Sequence, residues 1–372
     1  MKLVPLGQVA AQVKGAAPLP FSVRDAQGGL LLARGNLITN DAMRDALLER
    51  GAFVDMDEVR AGQRDNALPI GERRLNLWRG LMTRLNVTLQ DPAAKGLETS
   101  IRGIASELGA LVKSDPDMAQ ALLAHPDLCA ELPYSVAHSA RVAATWALLA
   151  LRQDGAEPAA LEVPLAAALT MNLGMLQLQD RLTNQEGPLK PAQRDQIQLH
   201  PKQSATMLRA AGVTDALWLA MVEQHHEVAG GSGYPAALAE PLPEARRLHL
   251  IDIYCACFGS RAQRPSLLPD AAVRRLYQQH AKDPTALALA KEFGLYPPGT
   301  VVRLASLELA LVVRRGVAMN APVAIALQNA NGEARVTPAR RDTSQPGHTV
   351  VAAVNPSLLR VRIPWAQLFT LF

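Results

Sequence analysis

Two adjacent imidazoles, His225 and His226, are followed by Glu227, three glycines and a Tyr-Pro pair in the run His225-His226-Glu227-Val228-Ala229-Gly230-Gly231-Ser232-Gly233-Tyr234-Pro235. Neutral imidazole is the commonest protein ligand for transition metals. The preceding segment, Trp218 to Gln224, reads as a helix, so the pair sits at a helix end. The glycines permit the positive-φ turns that hold such an end beside a pocket. This spacing could hold a metal ion. A His pair by itself serves equally as a surface or capping feature.

The whole run is more specific than the pair. It resembles the signature HHExxDGxGYP of the HD-GYP family, metal-dependent phosphodiesterases that hydrolyse the bacterial messenger cyclic di-GMP, and departs from it at Gly230, where the family has Asp. Further matches follow the family's order across roughly residues 120 to 290. Tyr134-Ser135-Val136-Ala137-His138-Ser139 resembles the early helix in which a His-Ser pair supplies a metal ligand. Leu199-His200-Pro201 resembles a later His-Pro ligand, and Leu250-Ile251-Asp252-Ile253-Tyr254 resembles a segment whose Asp is a ligand. Arg261 and Arg264 fall where the family places phosphate-binding basic residues. The resemblance implies a mainly α fold: an HD-domain-like all-helical core with a small N-terminal α/β module and a small C-terminal β-rich appendage.

One departure bears directly on chemistry. The family's adjacent His-Asp pair, in a segment reading LLHDIGK, corresponds here to Leu169-Thr170-Met171-Asn172-Leu173-Gly174-Met175. The His has become Met171, the Asp Asn172, and the phosphate-facing Lys Met175. A thioether suits Cu(I) and is a poor ligand for iron, manganese or zinc. Asn172 offers a neutral carbonyl in place of a carboxylate that bridges two cations, and without that charge two close divalent ions repel strongly. By the resemblance, one metal position is built from His138, Met171, Asn172 and Asp252, and keeps two of its four ligands. The other is built from Asn172, His200, His225 and His226, and keeps three imidazoles, enough for a tetrahedral zinc with one open position. Two readings stay open: a single zinc, iron or manganese ion on His200, His225 and His226, or histidines that bind no metal.

The elements that must position these residues follow from composition and pattern. Of 372 residues, 49% are apolar, 19% charged and 4% aromatic, a balance that suits an Ala/Leu-rich helical protein better than a β-sandwich. The net charge of +4 is not gathered into long basic runs, so nucleic-acid binding is not expected. Three cysteines without a CxxC pair argue against a disulfide framework. Neither a leader-like apolar stretch nor a membrane span is expected, and the expected location is cytoplasmic.

Four segments are expected. Residues 1–62 form a small N-terminal α/β module, with strands over 19–25 and 29–34 joined by an Asp-Ala-Gln-Gly turn, a helix over 42–49 capped by Thr39-Asn40-Asp41, and a strand at 53–55. Residues 66–118 form a helical linker whose periodic Leu75, Trp78, Leu81, Met82, Leu85, Leu97, Ile101, Ile104, Leu108 and Leu111 are either a dimer surface or a buried core face. Residues 119–295 form the degenerate HD-GYP helical domain, with breaks at Pro133, Pro164, Pro188 and Pro191. Residues 296–372 form a C-terminal β-rich appendage of four strands, with a hairpin turn at Asn331-Gly332.

The function expected is that of a catalytically inactive or impaired module of cyclic di-GMP signalling, acting by nucleotide or partner binding. Its candidate partners are cyclic di-GMP, through Arg261, Arg264 and Tyr234, and a diguanylate cyclase domain protein. Two other readings remain: a residual phosphodiesterase using one metal at His200, His225 and His226, and a purely structural scaffold.

Overall fold

In the computed structural model the described residues are 2–13, 17–32, 34, 37–38, 41–60, 68–125, 131–258, 266–318, 320–368 and 370. The first unit combines short strands with helical turns: β1 (Leu3–Pro5), β2 (Ala17–Pro18), β3 (Val23–Arg24), β4 (Leu30–Leu32), β5 (Leu37–Ile38), α1 (Asp41–Glu49) and β6 (Phe53–Asp55). The antiparallel order is β1-β6-β3-β4, with β2 and β5 paired separately. The β3–β4 turn is the expected one. Asp25 Oδ1 accepts from the amides of Gln27 (2.9 Å) and Gly29 (2.7 Å), the local bonding that lets Asp shape a turn. Strand β1 has no pattern of its own and exists by pairing with β6. Leu6, Phe21, Val23 and Val54 centre a small separate core. The cap expected at Thr39-Asn40 lies outside the described residues.

The periodic stretch beyond it forms two long helices, α2 (Ile70–Gln90) and α3 (Leu97–Ser114), followed by α4 (Pro116–Ala124). Leu75, Trp78, Leu81, Met82, Leu85, Leu97, Ile101, Ile104 and Leu108 are buried in the core they share with the helices that follow. Of the two uses open for this apolar stripe, the fold takes the internal one.

Next come α5 (Tyr134–Arg152), α6 (Glu162–Thr170), α7 (Leu176–Thr183), α8 (Pro191–Ala210), α9 (Ala216–Gln224), α10 (Pro243–Ala256), α11 (Pro269–His280) and α12 (Pro284–Phe293). Pro133 and Pro191 stand at helix starts as expected. Pro164 is instead the third residue of α6: a nitrogen in the first turn has no intrahelical acceptor, so a missing N–H there costs nothing. Helix α5 carries sixteen buried residues, Ser135 to Ala150, and is the central post of the core. The stretch Pro158–Thr183 is long and apolar enough to cross a membrane, its most apolar 18 residues having a mean hydropathy of 1.5, but 61% of that window is buried inside the fold. It behaves as a core element. Cys255 and Cys257 are buried and unbridged, and Cys129 lies outside the described residues.

The C-terminal part is a five-stranded antiparallel sheet, β7 (Val301–Leu304), β8 (Leu309–Arg314), β9 (Val323–Gln328), β10 (Ala334–Asp342) and β11 (Val350–Ala353), in the order β10-β9-β8-β7-β11. Period-2 alternation sends Val301, Leu311, Val313, Ile325 and Leu327 into the helical core, and Val302, Leu304, Ala310, Val312, Ala324 and Ala326 into a second cluster on the other face. Strand β10 was not legible in the sequence. It is largely exposed, contains Pro338 and shifts register between Ala334 and Ala339, the features of an edge strand. A last short helix, α13 (Trp365–Leu368), packs back on α2.

Candidate metal centre

His225 and His226 lie just beyond α9, which begins with Asp215 accepting from the Trp218 amide (3.0 Å). The indole of Trp218 is wholly buried, and its N–H donates to Thr170 Oγ1 (2.8 Å), tying α9 to the end of α6. His200 comes from the middle of α8. Helix α8 is held close by Gly174, whose amide donates to Ser204 Oγ (2.9 Å), and a Cβ at this glycine would lie 2.8 Å from Gln203 Cβ and 2.9 Å from the His200 carbonyl.

These elements bring His200, His225 and His226 together, with one ring nitrogen of each within 4.8 Å of the others. The hydrogen bonding fixes which nitrogens face inward. His200 Nδ1 donates to the carbonyl of Ile197 (2.5 Å), and His225 Nδ1 donates to that of Val222 (2.7 Å). The two Nε2 atoms then stand 3.1 Å apart. Burial pushes the His200 imidazole down to about 3, with His225 adding to the shift. Burial likewise takes His225 to about 4 and holds His226 well below its ordinary value. All three are therefore neutral near pH 7. With each Nδ1 proton already committed, the Nε2 atoms of His200 and His225 confront each other as two lone pairs in a dry site. A cation between them would satisfy both, so the donor set fits a metal, with His226 as third ligand.

The remaining candidate ligands behave differently. His138 Nε2 donates to Asp252 Oδ1 at 2.6 Å, and the ring stacks on Tyr134 at 5.7 Å. Burial would raise the Asp252 carboxyl, but the hydrogen bond and charge of His138, with His226 and His225 behind it, hold it well below the carboxylate range. Met171 is wholly buried as a member of the apolar core. Asn172 is 2% exposed, and its buried Oδ1 has no hydrogen-bond partner. Met175 is half-buried at the start of α7. Arg261 and Arg264 lie outside the described residues.

The Gly-Tyr-Pro loop is built by Glu227. This residue is 1% exposed, and its two carboxylate oxygens accept from the amides of Ala236 (2.6 Å) and Leu238 (2.9 Å), pinning the loop back on the helix end. Gly230 and Gly231 take φ of +90° and +79°, and a Cβ at Gly233 would collide with the Val228 nitrogen and the His226 carbonyl. The loop presents Tyr234, whose ring stacks on His226 at 4.7 Å. Burial, reinforced by the charge of Asp252, pushes the Tyr234 phenol far up, so it keeps its proton.

Sequence reasoning missed two residues. One is Glu227, quoted in the motif without a role. The other is His249 on α10, whose Nδ1 donates to the carbonyl of His225 (2.9 Å). It stands three residues before Asp252, on the same helix face, and that spacing was the available signal.

Residues 123–285 match the family model of the HD domain. Over 216 residues the chain is 30% identical to the cyclic di-GMP phosphodiesterase PA4108 of Pseudomonas aeruginosa. That match covers 57% of this chain and 51% of the relative, so the chain spans about half the length of the curated relative it matches. A solved structure, the HDG"Y"P protein Bd1817 of Bdellovibrio bacteriovorus, is similar with a TM-score of 0.49 and 16% identity, covering 78% of this chain and 98% of that one.

Proposed function

We propose that this protein is a non-hydrolysing member of the cyclic di-GMP signalling machinery, which binds the dinucleotide at one divalent cation held by His200, His225 and His226. The carrying observation is the contrast within the site. Three neutral imidazoles converge, those of His200 and His225 with their free Nε2 atoms inward, while the residues that would complete a second metal position are engaged elsewhere or are the wrong type. A zinc, iron or manganese ion, when bound, supplies positive charge to a phosphodiester oxygen.

The chain's own residues account for the loss of hydrolysis. Displacement at a phosphodiester needs charge compensation for both the attacking and the leaving oxygen, and two-metal sites provide it from both sides. Here Met171 is packed in the core and Asn172 brings no charge, so nothing bridges to a second cation. Asp252 is already hydrogen-bonded by His138 at 2.6 Å and its carboxyl is held well below the carboxylate range, which leaves it a poor general base. Tyr234, protonated and stacked on His226, closes one side of the site and can donate to a phosphate oxygen. The Gly-Tyr-Pro loop is also the surface we assign to a diguanylate cyclase domain partner.

The test is elemental analysis of protein purified without chelators, followed by calorimetric titration with cyclic di-GMP and a hydrolysis assay. The expected result is about one cation per chain, saturable binding and no linear product. Turnover would overturn the non-hydrolysing reading in favour of a phosphodiesterase working from one cation, which the intact three-histidine cluster favours as the second reading.

A further inference from the structure

One imidazole beside the cluster has no part in the function above. Helix α9 ends at Gln224, so His225 and His226 sit where the backbone ladder no longer holds the chain. The last carbonyls of a helix have no intrahelical donor and need tertiary partners. The carbonyl of His225 belongs to the peptide that joins the two histidines, and it accepts from His249 Nδ1 at 2.9 Å. The same imidazole stands edge-on to His226, with ring centroids 5.6 Å apart and planes at 85°. His249 thus touches the pair twice, through its backbone and through a ring face. On the opposite side the His226 carbonyl accepts from the Tyr234 amide (3.2 Å), so the dipeptide is clamped between α10 and the Gly-Tyr-Pro loop.

We infer that His249 is a positioning residue: it locks the His225–His226 peptide and so sets how tightly the three-imidazole centre holds a divalent cation. The inference rests on the cation site proposed above. The physical reason is preorganisation. Three ring nitrogens converge usefully only if each ring is aimed before the ion arrives, and outer hydrogen bonds to a ligand typically change metal affinity by about 10- to 100-fold. His249 and Asp252 share a face of α10, so one helix braces the three-histidine side and carries the carboxylate of the other side.

The test is cobalt(II) titration of the full chain, followed by d–d absorption, in wild type, His249→Phe and His249→Asn. Phe keeps a ring edge against His226 and removes the donor. Asn places an amide N–H near the position of Nδ1 and removes the ring. The expected result is that His249→Phe binds cobalt at least about tenfold more weakly with an altered d–d band, while His249→Asn stays within about threefold of wild type. Equal affinity in His249→Phe and wild type would overturn the inference. So would a loss of tenfold or more in His249→Asn, the variant that decides the matter if His249→Phe fails to fold. A wild type that takes up no cobalt removes the three-imidazole reading itself, and this inference with it, an outcome distinct from a loaded wild type matched by a loaded Phe variant.

Discussion

The two halves of the centre solve the burial of polar groups in opposite ways. On one side, His200 and His225 give their Nδ1 protons to backbone carbonyls and leave two Nε2 lone pairs 3.1 Å apart, an arrangement that only an outside cation or a proton between them completes. On the other, His138 and Asp252 complete each other at 2.6 Å, Met171 has joined the apolar core, and only the carbonyl of Asn172 is left without a partner. One half is poised for a ligand and the other is closed on itself. One core accommodates both arrangements, because a satisfied His–Asp pair and a buried thioether cost it little.

The comparison breaks most sharply at the open half. His225→Ala leaves two imidazoles, and cation affinity is expected to fall by more than about 100-fold, beyond the range of an outer-shell change, as read by elemental analysis and competition with a chromophoric chelator. Rebuilding the closed half should make the halves alike. In the double variant Met171→His, Asn172→Asp, cation content is expected to rise from about one towards two per chain and hydrolysis of cyclic di-GMP to appear. Placing polar groups in that part of the core should cost about 2 kcal/mol of stability by denaturant melt. A double variant that stays at one cation would show that Met171 and Asn172 are not what separates the halves.

Smaller effects sharpen the contrast. His138→Ala strips the partner from Asp252 and is expected to destabilise by about 2–3 kcal/mol, towards the lower end because the carboxylate keeps 14% exposure, while cation content stays at the wild-type level. A parallel loss of cation would mean that the two halves are one unit. Gly174→Ala forces a Cβ against the His200 carbonyl and Gln203, and should cost about 1–2 kcal/mol with a few-fold weakening of cation binding through the displaced turn of α8. Unchanged melting and binding would show that this turn gives way freely.

Much of this was legible beforehand because it rests on local pattern. The stripe Leu75, Trp78, Leu81, Met82 and Leu85 announces α2, the short apolar run Leu309 to Val313 announces β8, and Asp25 with Gly28 and Gly29 announces the β3–β4 turn. Strand β10 was missed because an exposed edge strand rich in arginine has no apolar period to read. Strand β1 was missed because a three-residue strand exists only by pairing. At the centre, the candidate ligands His138, His200, His225, His226 and Asp252 could be named from residue type and order along the chain. Which of them would pair with one another could not.

The sequence by itself determined the helical texture of the region, the histidines it carries and the presence of Met171 and Asn172 where the resembled family has a His-Asp pair, because these are matters of residue type and spacing. Only the tertiary structure decided that α2 and α3 spend their apolar stripe inside the protein, that Glu227 staples the Gly-Tyr-Pro loop, and that His249 braces the His225–His226 peptide. Those outcomes depend on which helix lies against which. The bonds that His225 makes with His200 and His249 join residues 25 and 24 positions apart, and no local period of the chain encodes them.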